Sequence, residues 1–222
     1  MAIKVIDMLL TNQNRSGKKL IKLKGIVMHW TANTSNGANA MANRNYFNST
    51  KRAASTHYIV DNKNIIRCIP EGEVAYHVGA KKYTAQGIKI KEANYSPNFF
   101  LLGIEMCVNS DGDWNKTYEN SVALAAYLLK KYELNAENLY RHYDITGKDC
   151  PKMMLKDNDW DFFRKKVYQM TKEVTIILNN ELIIIDKIIK SNSIYVPIRS
   201  FSTMCGAEIY WNQEKKIAYI RI

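Results

Sequence analysis

The chain has 222 residues, 46% of them apolar, which suits one sizeable domain, or a domain with a small module, and nothing in that composition suggests disorder. Its formal charge is +11, with six basic and four acidic side chains in residues 174–222 and the remaining +9 in residues 1–173; nucleic acid, anionic lipid and acidic wall polymers all suit such a balance, as does an ordinary basic surface. No run approaches the ~20 apolar residues of a membrane span, and the start, MAIKVIDMLLTNQNRSGKKL, lacks the charged leader, apolar core and small-residue cleavage site of a secretory signal. The reading is therefore a protein made in the cytoplasm without a signal peptide.

In chain order, GIVMHW (25–30) reads as a short buried strand ending at a histidine. Residues 38–51 carry Met41, Tyr46 and Phe47 among polar residues and predict an amphipathic helix. THYIVD (56–61) and NIIRCIP (64–70) flank Asn62-Lys63 and read as a hairpin. The stretch 79–98 is polar, holds Gly79, Gly87 and Pro97, and reads as loop. FFLLGIEMCV (99–108) is the clearest buried strand, and it ends in a turn cluster, NSDGDWN. Tyr118, Val122, Ala125, Leu128, Leu129 and Tyr132 fall at helical spacing across 116–133. RHYDITGKDCP (141–151) reads as a polar loop, and 158–173 as a helix with Trp160, Phe163, Val167 and Met170 on its apolar face.

The pattern changes near Glu173. VTIIL, ELIIID, SIYVPI, AEIYW and IAYIRI read as short strands, interrupted by a helix around Arg199 to Cys205. We therefore expect two domains, 1–172 and 173–222. The first is α/β, with a central mixed β-sheet flanked by helices; the second is small and mainly β with one short helix.

Of the four cysteines, Cys68 and Cys107 lie in apolar runs and predict buried thiols. Cys205 is expected to pack as well, whereas Cys150 sits in a polar loop before Pro151. The histidines are His29, His57, His77 and His142. Two imidazoles and the Cys150 thiolate would make a three-ligand zinc site with a fourth position left for water, as catalytic zinc requires. Spacing alone does not select this set, because His29 is over a hundred residues from the others and a lone histidine at a strand end is commonly a satisfied polar residue. Glu105 stands out for a different reason. It lies on an apolar strand, where an unpaired carboxylate is costly to bury, which points to a functional or paired role.

Five segments carry a resemblance in one order: IVMHWTAN (26–33), ASTHYIVD (54–61), VAYHVG (74–79), LLGIEMC (101–107) and RHYDITGKDCP (141–151). Together they resemble the motifs of the type-2 N-acetylmuramoyl-L-alanine amidases, which share a fold with peptidoglycan recognition proteins. The resemblance implies that His29, His142 and Cys150 hold Zn2+. It implies that Glu105 activates water, that Lys148 supports the developing oxyanion, and that His77 lines the substrate groove. Trp30, Thr56 and His57 are further substrate-side candidates, with packing or structural roles as the alternative. Some members carry a catalytic tyrosine where Thr56 stands, so the departure puts the weight on Glu105. The implied reaction is cleavage of peptidoglycan between N-acetylmuramic acid and L-alanine.

Residues 173–222 resemble the stalk module named after the N-terminal domain of copper amine oxidases, through LNNELI, YVPIRSF and CGAEIYWNQEKK. That resemblance implies attachment to the cell wall through secondary wall polymers, with a structural or homodimerising role as the alternative. An amidase without a signal peptide, joined to such a module, resembles a phage endolysin released through holin-made lesions. Two rivals stand beside this reading. One is a peptidoglycan-recognition protein of the same fold that binds without cleaving, which would be expected to lack Cys150. The other is a nucleic-acid binder, which should cluster its basic residues with aromatics on one element; here they are scattered, so no nucleic acid or membrane partner is expected.

Overall fold

The computed structural model describes residues 3–173, 175–178, 181–185, 187–191, 193–214 and 217–221. In chain order the elements are β1 (Ile3–Asp7), β2 (Gly25–Trp30), α1 (Ala40–Ser49), β3 (Tyr58–Val60), β4 (Ile65–Arg67), α2 (Ala85–Ile90), β5 (Leu101–Met106) and α3 (Trp114–Lys131). Next come β6 (Leu139–Arg141), α4 (His142–Thr146), α5 (Asp157–Thr171), β7 (Ile176–Leu178), β8 (Glu181–Ile184), β9 (Ile188–Lys190), β10 (Ser193–Tyr195), α6 (Ile198–Met204), β11 (Glu208–Asn212) and β12 (Ile217–Arg221). The chain divides into two compact units, residues 6–174 and residues 1–5 with 175–222. Among the described residues, no helix is long and apolar enough to cross a membrane.

The larger unit is built on a mixed sheet in the order β6-β2-β5-β3-β4. β2 runs parallel to β5 and β6, β3 runs parallel to β5, and β4 returns antiparallel to β3. Strands buried on both faces read as continuous apolar runs, which is why β2 and β5 were legible. Side chains alternate across a strand. Val27 and His29 of β2 therefore share a face with Leu101, Gly103 and Glu105 of β5, while Met28 and Ile104 take the other. Val27 and Leu101 pack with Ile90 of α2 and Ile145 of α4 on the His29 face. Cys107 and Ile59 pack with Ala40 of α1 beside them. α3 lies against β2, β3 and β5, and α5 lies against α3.

Three differences from the sequence reading have physical causes. The stretch read as loop at 79–98 contains α2, a six-residue helix with no apolar periodicity. Its N-terminus is capped by Thr84, whose hydroxyl accepts from the Gly87 N–H. Gly87 is close-fitting: an added Cβ would lie 2.4 Å from the Ile145 carbonyl oxygen, so only glycine lets α2 approach α4. The loop at 141–151 opens with α4, too short to show a period, and ends at Gly147 in the left-handed region (φ 78°). In α1 the buried residues are Ala40 and Asn43, whereas Met41 and Tyr46 are exposed.

In the smaller unit β8 pairs antiparallel with β7 and with the start of β1, Ile3 facing Ile184 and Lys4 facing Ile183. β9 pairs with β10 and β11 with β12. Neither β1 nor β9 was anticipated, and Cys205, expected to be packed, is exposed in the turn after α6. The Asn179-Asn180 separator lies outside the described residues.

Candidate metal centre

Parallel register sets the site. His29 and Glu105 are direct neighbours at the carboxyl ends of β2 and β5, with Trp30 facing Met106 at the next position. Nothing but the strand pairing is needed to put an imidazole beside a carboxylate.

His142 and Cys150 come from one loop that is held at several points. The Tyr143 N–H donates to the Cys150 carbonyl at 2.9 Å, closing the loop on itself. The buried Arg141 guanidinium donates to both carboxylate oxygens of Asp144, to the Met154 and Leu155 carbonyls and to Asp157. A buried guanidinium is tolerable only with such full pairing, and removing one partner of a buried pair costs ~3–5 kcal/mol. The Thr84 hydroxyl donates to the Asp144 and Ile145 carbonyls from the other side. The sequence reading did not single out Arg141, Asp144 or Thr84; an arginine next to a ligand histidine was the available signal.

These constraints bring three donor atoms together. His29 Nδ1 lies 3.0 Å from His142 Nδ1 and 3.7 Å from Cys150 Sγ. All three ligand atoms fall within 4.8 Å of one another, and all three residues are buried. Tetrahedral coordination at ~2.05 Å to nitrogen and ~2.3 Å to sulfur would space donor atoms by about 3.4 and about 3.6 Å. The two spacings from His29 Nδ1 lie close to those values, so the cluster suits a single small cation, and three protein donors would leave a fourth position open.

Burial sets the protonation states. It holds the His29 imidazole well below its ordinary value, helped by His142, His77 and Lys148. Burial likewise brings His142 down to about 4, with Lys148 acting in the same direction. Both rings are neutral at pH 7 and offer lone pairs. Burial pushes the Cys150 thiol up to about 12, Glu105 adding to the effect, so the sulfur keeps its proton until a cation displaces it. Glu105 Oε2 is buried with no hydrogen-bond partner. Burial pushes its pKa up to about 8, opposed by Lys148.

The other predicted residues divide. Lys148 is exposed and lines a cleft of about 650 Å3 together with His142, His77, Tyr76, Asn98 and Ala80. His77 sits against His29, its Nδ1 3.0 Å from His29 Nε2. Its neighbour across the strand is Gly103, where an added Cβ would lie 2.8 Å from the His77 ring. Thr56 and His57 are fully buried. His57 Nδ1 accepts the Gly103 N–H at 3.0 Å and Nε2 meets the Glu73 carbonyl at 2.9 Å, so both ring nitrogens are committed to backbone. Trp30 lines a different pocket of about 300 Å3 with Cys107, Trp114 and Met153. The structure thus joins His29, His142, Cys150, His77 and Glu105, opens a cleft at Lys148, and leaves Trp30, Thr56 and His57 off that cleft.

Comparison with known proteins matches a stretch inside the larger unit. A profile of the N-acetylmuramoyl-L-alanine amidase family matches residues 19–153. A Bacillus licheniformis protein named as a probable N-acetylmuramoyl-L-alanine amidase is 41% identical over 169 residues, covering 73% of this chain and 46% of its own length. The catalytic domain of XlyA superposes with a TM-score of 0.63 at 30% identity, over 73% of this chain and 98% of that one. A mutant endolysin from Bacillus subtilis gives 0.64 at 31% identity, over 74% and 99%. The chain spans about half the length of the curated relatives it matches.

The protonation states make cation binding pH-dependent in a defined direction. Between pH 6 and 8 the two imidazoles are already neutral, whereas Cys150 and the neighbouring Glu105 carboxyl hold protons that a cation would displace. Affinity for Zn2+, measured by chelator competition, should therefore rise at least about tenfold per pH unit across that window, with the Cys150 proton leaving on binding. A flat profile would show that the Cys150 sulfur does not take part.

Proposed function

The chain belongs to the N-acetylmuramoyl-L-alanine amidase family, and we propose that it hydrolyses the amide between the lactyl group of N-acetylmuramic acid and L-alanine in peptidoglycan, with zinc held by His29, His142 and Cys150. The observation that carries this reading is the convergence of those three donor atoms beside a carboxylate with an unpartnered buried oxygen.

An amide is a poor electrophile and water a poor nucleophile at neutral pH. Bound zinc supplies Lewis acidity, polarising a carbonyl and lowering the pKa of water to ~7. The remaining work falls to the chain. Glu105 takes the proton of the attacking water at its free oxygen and passes it to the leaving amine. Burial makes its carboxylate a stronger base than it would be in water. Lys148, at the mouth of the cleft, places an ammonium where negative charge gathers on the carbonyl oxygen. Asn98 lines the cleft, and its Oδ1 accepts from the His77 and Val78 N–H groups, fixing that part of the wall.

For residues 173–222 the proposal is attachment to the wall. β11 exposes Tyr210 and Trp211, and flat aromatic faces of this kind suit contact with sugar rings. Substrate placement at the wall would then come from this unit and chemistry from the other. The host in which the enzyme acts is read as a bacterium attacked from within by a phage-type endolysin.

Two outcomes follow. Digestion of purified wall material should release stem peptides beginning at L-alanine, and Glu105→Gln should lower that release ~10²–10⁴-fold while zinc content stays at one per chain. Release by the variant at the parent rate removes Glu105 from the reaction; binding to wall fragments without new amines favours a recognition protein. Trp211→Ala should reduce the fraction that pellets with intact walls and leave cleavage of soluble fragments unchanged; unaltered pelleting would contradict the attachment role.

A further inference from the structure

The sequence reading placed His77 on the substrate groove, but its ring makes two contacts that serve another purpose. His77 Nε2 lies 3.2 Å from the Leu101 carbonyl oxygen, and His77 Nδ1 lies 3.0 Å from His29 Nε2. A carbonyl oxygen only accepts, so His77 carries its proton on Nε2. A neutral ring protonated there has a lone pair on Nδ1. The 3.0 Å contact is then a hydrogen bond only when His29 donates from Nε2, which leaves the His29 lone pair on Nδ1, the atom that faces His142 and Cys150.

We propose that His77 is a positioning residue that fixes the tautomer and ring orientation of His29, relaying a backbone constraint from β5 to the cation cluster. The relay is Leu101 C=O to His77 to His29, and each link is buried. Two further features belong to it. Gly103 leaves the space the His77 ring fills, since a Cβ there would meet the ring at 2.8 Å and Thr56 at 3.0 Å. Asn98 holds the His77 backbone through its Oδ1. Histidine ligands to metals ordinarily donate their second N–H to such a partner, and loss of the partner weakens metal binding ~10–100-fold. The consequence for affinity rests on the zinc reading above; the tautomer is a property of the chain itself.

The test uses the full chain and two readouts. In the first, Zn2+ affinity is measured for the parent, His77→Ala and His77→Gln, with folding checked by circular dichroism. Glutamine can donate to the Leu101 carbonyl and accept from His29, as the imidazole does. We expect His77→Ala to bind Zn2+ ~10–100-fold more weakly and His77→Gln to recover most of the loss. A folded His77→Ala that binds as the parent does, or a His77→Gln no better than the alanine variant, overturns the relay. The second readout is the 15N-detected imidazole tautomer state of the cation-free parent, with resonances assigned by single histidine replacements. Protonation of His29 and His77 both at Nε2 supports the proposal, and Nδ1 protonation of His29 overturns it. That measurement decides the matter even where the variants fail to fold. A parent chain that takes up no Zn2+ would sink the zinc reading while leaving the tautomer result to stand or fall by itself.

Discussion

Parallel pairing of β2 with β5 is the constraint on which the site depends. It sets His29 opposite Glu105 and Val27 opposite Gly103, so one strand pair supplies a candidate ligand and a carboxylate and leaves room for a second imidazole beside them. A one-residue slip would send His29 to the opposite face of the sheet, among the side chains packed toward α3. Burial of the flanking apolar residues on both faces prevents that slip. Precision at the site therefore comes from the sheet, and only the last two donors depend on a loop.

That loop is treated differently from ordinary surface connections. Arg141 ties its start to α5, the Tyr143 N–H ties its two ends together, and Gly147 makes the turn between them. Such pairing packs two neutral imidazoles and a protonated thiol closely together. The cost is concentrated where function needs it. Glu105 has a buried oxygen without a partner, and Cys150 is held far from its ordinary pKa. Both penalties are relieved by positive charge at the cluster, so the same groups that weaken the fold would favour loading.

Legibility in the sequence followed length and period. β2, β5, α3 and α5 were read because their apolar residues form continuous or helical patterns. α2, α4 and β6 escaped, being three to six residues long and held by capping and by contacts distant in sequence. The candidate ligands were legible only as a resemblance, since His29 and Cys150 meet through folding alone. His57 was legible as a histidine but not as a strand lock, because backbone groups from Glu73 and Gly103 occupy its ring. Trp30 sits one position after His29, and strand alternation sends it to the other side. Gly103 and Asn98 gave no signal, as their roles lie in what they allow His77 to do.

The central claim is that two imidazole nitrogens and one sulfur surround a single ion. X-ray absorption at the zinc edge of the loaded chain reads this directly. One sulfur at about 2.3 Å and two or three nitrogen or oxygen neighbours at ~2.0–2.1 Å are expected. An inner shell without sulfur, or with two, would contradict it.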